Sequence, residues 1–433
     1  MKKYDVIDKQ LFIDNRNRLK SKLKPNSIVV VNANDEMPRS ADGHFPFRQN
    51  SDLLWLSGID QEQTTLVLFP DHPLPEMREI LFLRRTSDLI AVWEGHKYTE
   101  EEAQQASGIA NIKWADSLND FLPAMLYLAD NVYLNLNEHA RMHSEVPDFD
   151  SRFAQKMKLQ FPLHHYERLA PLMHDLRSIK SATEIALMQQ AIDITHKAFN
   201  RVLRFTKPNV AEYEIEAEIC HEFIRNRATG PAYGSIIASG KNACVLHYVS
   251  NNQLCKDGDL ILMDFGAEYA NYAADLTRTI PVNGRFTPRQ RNVYNAVLRV
   301  MKAATQLLRP GTLLVEYHKQ VGLLMEEELI ALGLLNADEV KKQDPQKPLY
   351  KKYFMHGTSH FLGLDVHDVG HSHRPIKAGM VFTCEPGIYI PDENIGIRLE
   401  NDILVTDKEP RDLMANIPIE ADEIEEIMNN RRA

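Results

Sequence analysis

The chain is poor in cysteine, and what little it has is not paired by spacing. Four cysteines, Cys220, Cys244, Cys255 and Cys384, stand in 433 residues without a CxxC pair. They read as reduced thiols in a cytosolic protein. Positive charge is not in excess either: 50 Lys and Arg face 60 Asp and Glu, a formal net charge of -10. That balance favours solubility and gives no support to nucleic-acid binding. No apolar run approaches the length of a membrane span, and Met1-Lys2-Lys3-Tyr4-Asp5 is followed by no apolar core of signal-peptide length. The expectation is a cytoplasmic protein with neither a membrane nor a nucleic acid as partner. The first 172 residues also lack a phosphate-binding loop and any cluster of metal ligands.

What is present is ordinary in amount and specific in arrangement. The chain is longer than one core usually supports, so two domains of unequal size are expected, 1–172 and 173–433. In the first, Lys9 to Lys22 reads as a charged amphipathic helix. Ser27 to Val31, Thr65 to Phe69 and Glu79 to Leu83 read as buried strands. Such alternation predicts an α/β domain with a mixed sheet. In the second, Ser181-Ala182-Thr183-Glu184 has the form of a capping box opening a helix through Phe205. Pro208 breaks the pattern, a helix follows from Glu212 to Arg225, and then strands at Gly234 to Ala238 and Val245 to Val249. Thr287-Pro288-Arg289-Gln290 caps another helix with proline at its first position. After Pro310-Gly311 comes a further helix, Val315 to Leu332, then a polar surface loop at 335–350 and more strand-like pieces. Two helices then strands, twice over, is the order an internal pseudo-two-fold would produce.

The chemistry centres on Asp264-Phe265-Gly266-Ala267-Glu268-Tyr269-Ala270-Asn271-Tyr272-Ala273-Ala274-Asp275. Asp264 ends the apolar run Leu260 to Met263, and Asp275 opens the strand-like Leu276 to Pro281. A hairpin would bring the two carboxylates together, where they repel unless one is protonated or a cation lies between them. Read alone, each Asp beside a turn is also a common turn residue. Downstream, His360 lies in HGTSHFLGLDVHDVG, Glu385 in TCEPG and Glu400 in GIRLE. Two Asp, two Glu and one His form an oxygen-rich set with one imidazole, suited to Mn²⁺ or another divalent first-row ion. Bridging carboxylates let such a set hold two ions, about four negative charges against about four positive.

These segments resemble the pita-bread metallopeptidases, and HGTSHFLGLDVHDVG with TCEPGIYI and GIRLEND is similar to the aminopeptidase P and prolidase branch. The N-terminal segments Phe45 to Asp52 and Val92-Trp93-Glu94-Gly95 resemble the creatinase-type N-terminal domain of the same family. The resemblance implies an α/β N-terminal domain and an α+β pita-bread catalytic domain with internal pseudo-two-fold symmetry. It implies two Mn²⁺ ions held by Asp264, Asp275, His360, Glu385 and Glu400, with Asp275 and Glu400 bridging. A water held by both ions becomes the nucleophile, Glu385 shuttles its proton, and His367 steadies the reacting carbonyl. His247 positions substrate, which on residues alone reads as a core histidine. His356 is a hydrogen-bonding neighbour of the centre, and Arg398 acts with Tyr389 near the product end. Trp93, otherwise a packing residue, matches an aromatic that reaches a neighbouring subunit's site, which implies a homo-oligomer, dimer or tetramer. The implied activity is release of the N-terminal residue from peptides with proline second. A prolidase that cuts Xaa-Pro dipeptides shares every ligand. A pita-bread scaffold without catalysis is the rival of another class, and such scaffolds typically lack ligands. His371 and His373 match no catalytic position.

Overall fold

The computed structural model describes residues 3–430 except 143. The chain divides into two compact units, Asp5–Arg177 and Ser178–Ala433 with Met1–Tyr4. The helix Ala170–Ser178 runs across the 172/173 boundary expected from sequence, and the division falls near its end.

The unit Asp5–Arg177 is built on one six-stranded mixed sheet. Its order is Asn111–Trp114, Glu79–Leu83, Thr65–Leu68, Ser27–Asn32, Asn131–Leu134 and His165–Arg168. Ser27–Asn32 pairs antiparallel with Thr65–Leu68 and parallel with Asn131–Leu134. All six of its residues are buried, as befits a central strand covered on both faces. Ile28, Val30, Val67, Ile80, Phe82 and Val132 pack with Leu122, Met125 and Leu126 of the helix Leu118–Leu128 into one core.

The unit Ser178–Ala433 begins with the helices Ala182–Phe205 and Glu212–Arg225. The capping box read from sequence is formed: Ser181 Oγ accepts from Glu184 N at 3.3 Å, and Glu184 Oε2 from Ser181 N at 2.8 Å. A sheet of Ile236–Ser239, Leu260–Phe265 and Leu276–Pro281 follows. The order then returns to helices, Pro288–Leu307 and Leu314–Ala331, and to strands, Val381–Cys384 with Asn401–Leu404 and Gly387–Ile390 with Ile395–Arg398. Within the loop at 335–350 only a short helix, Ala337–Val340, is formed before the turn Leu349–Lys352.

One strand expected from sequence is absent. Val245 to Val249 lies in a turn after the 3-10 segment Gly240–Cys244 and pairs with no strand. Its side chains still alternate, with Leu246 and Tyr248 packed inward and His247 exposed. A period of two therefore reflects one-sided burial here, without the ladder that defines a strand.

Asp150 is a buried carboxyl in the first unit, where Oδ1 accepts from Asn32 Nδ2 at 2.8 Å. Burial pushes its pKa up to about 8, with Asp148 and Asp52 adding repulsion. The folded state thus holds a proton that the unfolded chain loses near pH 4, so this group's contribution is full at low pH and is lost as pH rises toward 8. Asp150→Asn keeps the acceptor and removes the titration. Relative to the parent, the variant should gain at least about 1.4 kcal/mol between pH 5 and pH 8, one pKa unit's worth. Unfolding curves at the two pH values check this, and an unchanged difference would refute it.

Candidate metal centre

Sheet register sets the first half of the site. Asp264, on Leu260–Phe265, lies opposite Thr277 on Leu276–Pro281, and Thr277 forms an isolated bridge with Glu400. Residues directly opposite project to the same face, so Asp264, Thr277 and Glu400 stand in one row. Thr277 Oγ1 donates to Glu400 Oε2 at 2.6 Å. Arg398, two residues before Glu400, shares that face. Its guanidinium reaches Asp264 Oδ2 at 2.5 Å, Tyr389 OH at 2.9 Å and Thr277 Oγ1 at 3.2 Å.

Asp275 is delivered by a second, smaller hairpin. Ala267–Tyr269 pairs with Tyr272–Ala273 around Ala270 and Asn271, whose φ values of 52° and 65° suit a tight two-residue turn. The chain doubles back so closely that a Cβ on Gly266 would sit 1.7 Å from Ala274 O, so only glycine fits. Asp402 Oδ2 accepts the Asp275 N–H at 3.2 Å. The Tyr233 hydroxyl reaches Asp264 Oδ1 at 2.6 Å and Asp275 Oδ1 at 2.5 Å, tying the two carboxylates together.

His360 and Glu385 come from the other half of the unit. Thr383 N donates to His360 O at 3.0 Å and Glu385 N to Thr358 O at 2.8 Å. The His360 ring sets Nδ1 3.0 Å from Phe361 O, which places the proton on Nδ1 and turns the Nε2 lone pair inward. Nε2 then lies 3.5 Å from Asp275 Oδ2 and 3.7 Å from Glu385 Oε1. Asp275, His360 and Glu400 each offer a ligand atom, all within 4.8 Å of one another. All five residues expected from sequence as ligands converge through these contacts.

Electrostatics make the cluster unstable by itself. Burial pushes the pKa of Asp275, Glu385 and Glu400 above the ordinary carboxylate range, and mutual repulsion adds to it. Burial pulls the His360 pKa down, but Asp275 and Glu385 hold it above its usual value. Arg398 offsets only part of the negative charge. Crowded carboxylates with an inward imidazole lone pair fit a hard or borderline divalent cation.

The remaining expected residues fall in several places. His356 Nε2 is 2.8 Å from Tyr389 OH and its Nδ1 2.7 Å from Gly357 O. Burial, then Arg398, lowers its pKa to about 4. His367 is exposed, its ring 4.1 Å from that of His360. His247 is exposed and near enough to disfavour protonation of His356. His371 and His373, which match no catalytic position, face one another at 5.4 Å. Trp93 belongs to the other unit, on the short helix Asp88–Glu94, and is 80% exposed, so packing in the core does not explain it. Sequence reasoning missed Tyr233, Asp402 and His318, whose Nδ1 accepts from Thr358 N at 3.2 Å. Asp402 closes the GIRLEND segment without a role of its own being read there, and neither Tyr233 nor His318 stands in a quoted motif.

Fold and donor set together define a metallopeptidase of the pita-bread type. The model of metallopeptidase family M24 matches residues 186–407, and that of the aminopeptidase P N-terminal domain matches 12–133. The chain belongs to family M24. It is 37% identical to the Xaa-Pro aminopeptidase of Escherichia coli (strain K12) across 98% of each chain. It is 34% identical to Xaa-Pro aminopeptidase 3 of Homo sapiens, over 92% of this chain and 80% of that one. Among solved structures, aminopeptidase P from E. coli with the inhibitor Pro-Leu superimposes with a TM-score of 0.88 at 35% identity, covering 99% of this chain and 100% of the other. Aminopeptidase PepP of Pseudomonas aeruginosa gives 0.89 at 34% identity, covering 99% of each.

Because a cation relieves the repulsion, binding should stabilise the fold. Mn²⁺ at about 100 times its Kd should add about 2.7 kcal/mol per site, read as a raised Tm that chelator reverses. Asp275→Asn and Glu400→Gln should lose most of that increment. An equal rise in the parent and both variants would show that the ion binds elsewhere.

Proposed function

We propose that the chain is a metal-dependent aminopeptidase that releases the N-terminal residue from peptides with proline in second position. The observation that carries the metallopeptidase reading is the convergence of Asp275, His360 and Glu400 within 4.8 Å, with Asp264 and Glu385 joined to them. Preference for Xaa-Pro is supported by full-length similarity to Xaa-Pro aminopeptidases. Asp264, Asp275, His360, Glu385 and Glu400 would hold two divalent ions, Mn²⁺ by preference. Ions bound there supply Lewis acidity and acidify water toward neutral pH.

The side chains do the rest. Glu385, with a carboxyl pKa raised by burial, takes the proton of the attacking water and passes it to the departing prolyl nitrogen. That transfer is needed because an amide nitrogen is too basic to depart as an anion and must leave as the neutral amine. His367, exposed beside His360, donates to the developing oxyanion. His247 positions the substrate, and Arg398, Tyr389 and His356 form a hydrogen-bonded wall near the product end. The N-terminal domain supports assembly, and Trp93 with Val92 and Leu89 presents an exposed apolar helix for it. Four unpaired cysteines accord with a cytoplasmic, reducing location.

Xaa-Pro-Yaa peptides with a free N-terminus should be cut between Xaa and Pro with higher kcat/KM than Xaa-Pro dipeptides. Replacing the proline by alanine should lower kcat/KM at least about tenfold, roughly 1.4 kcal/mol of transition-state binding. If the dipeptide is the better substrate and the tripeptide stays intact, the enzyme is a prolidase.

Light scattering at micromolar concentration should find a homo-oligomer, at least a dimer and by preference a tetramer. Trp93→Ala should lower activity on tripeptides. A fully active monomer would remove the cross-subunit role of Trp93.

A further inference from the structure

Glu212 is a fully buried carboxylate that neither the metal cluster nor the proposed mechanism uses. It is the first residue of the helix Glu212–Arg225, where negative charge is favoured by the helix dipole. No Lys, Arg or His among the described residues pairs with it. Five hydrogen-bond donors converge on it instead. Oε1 accepts from Ser239 N at 2.8 Å, Ser239 Oγ at 2.7 Å and Asn242 Nδ2 at 3.2 Å. Oε2 accepts from Tyr248 OH at 2.8 Å and Gln253 N at 2.9 Å.

Two donors are on Ser239, the last residue of the strand Ile236–Ser239, and three are on the segment that runs from it to Leu260–Phe265. Beyond the 3-10 turn Gly240–Cys244 that segment has no helix or strand, and its backbone is tied at its far end by the bridge between Ala211 and Leu254. A loop of this length in a compact unit needs side-chain anchors. Asn251 supplies a second, with Oδ1 accepting from Ile237 N at 3.0 Å. Tyr248 is adjacent to His247, and its ring packs inward with Leu246 against the cluster that contains Tyr389. The alternation then turns His247 outward, away from that cluster. At the start of the segment, a Cβ on Gly396 would lie 2.1 Å from Ala243 O, so the loop rests directly on the hairpin that carries Tyr389 and Arg398. A carboxylate suits this place because it only accepts; an amide would set an N–H against one of the donors.

We propose that Glu212 is a positioning residue: through Ser239, Asn242, Tyr248 and Gln253 it holds the loop in the conformation that presents His247 to the peptide. This inference rests on the proposed substrate role of His247, and the experiment separates the two. Steady-state kinetics on an Xaa-Pro-Yaa tripeptide are measured for the full-length, Mn²⁺-loaded parent, His247→Ala, Glu212→Gln, Tyr248→Phe and the double variants with His247→Ala. Glu212→Gln should lower kcat/KM by about tenfold or more, and Tyr248→Phe by about threefold, with metal content unchanged. In the His247→Ala background both losses should shrink to within about twofold, because residues acting through one group are not additive. Full additivity would overturn the Glu212 proposal while leaving the His247 role standing. An unaffected His247→Ala enzyme would overturn both. Tyr248→Phe removes one hydroxyl and keeps the test open should Glu212→Gln fail to fold.

Discussion

The structure turns on the repulsion among carboxylates buried side by side. At about 4 Å and an effective dielectric of about 20, two like charges cost about 4 kcal/mol. A hydrogen bond to a charged group returns only about 1.5–3 kcal/mol. Asp275, Glu385 and Glu400 crowd together with Asp264, and Asp402 adds another acid beside Asp275, so hydrogen bonds from Thr277 and Tyr233 cannot balance the cluster. Arg398 pairs directly with Asp264 and offsets only part of the charge on Glu385 and Glu400. Protonation or a bound cation must make up the difference. The sheet register, the tight hairpin at Ala270-Asn271 and the glycine at 266 all serve to hold that unfavourable arrangement rigid. Such placement against the local preference of charge is expected where chemistry is done.

Glu212 shows the opposite solution within the same unit. Its carboxylate is as deeply buried as Glu400, yet five donors surround it. The oxygens of Glu212 are saturated by donors, whereas those of Asp275, Glu385 and Glu400 face one another.

Much of the centre was legible in the sequence because its ligands sit in local patterns. The apolar run before Asp264 and the turn residues after it announce the strand and the return, and glycines around His360 argue against a helix there. The capping boxes at Ser181 and Thr287 and the proline at 288 place helices through short-range rules, and both form as read. Val245 to Val249 misled because alternating burial is shared by a strand and by a loop lying on a core. Tyr233, Asp402, His318 and Glu212 were invisible for another reason. Each acts on a partner distant in sequence, through a hydrogen bond that only the folded chain creates.

The pair His356 and His360 shows how far residue type alone can go. Both are imidazoles in one segment, four residues apart, and a helical reading would make both ligands. The segment is irregular, and the two rings are used differently. Both nitrogens of His356 are engaged, Nδ1 with Gly357 O and Nε2 with Tyr389 OH. Arg398 donates to that same hydroxyl, so the phenol's own proton points to His356 Nε2 and keeps the ring neutral, with its other proton on Nδ1. Arg398 close by opposes a second proton, in accord with the pKa of about 4. No lone pair of His356 is left for a cation. His360 spends only Nδ1 on its own backbone, at Phe361 O, and its Nε2 faces Asp275 and Glu385. The distinction between a ligand and a wall residue thus lies in where the second nitrogen finds its partner, which spacing in the sequence does not encode.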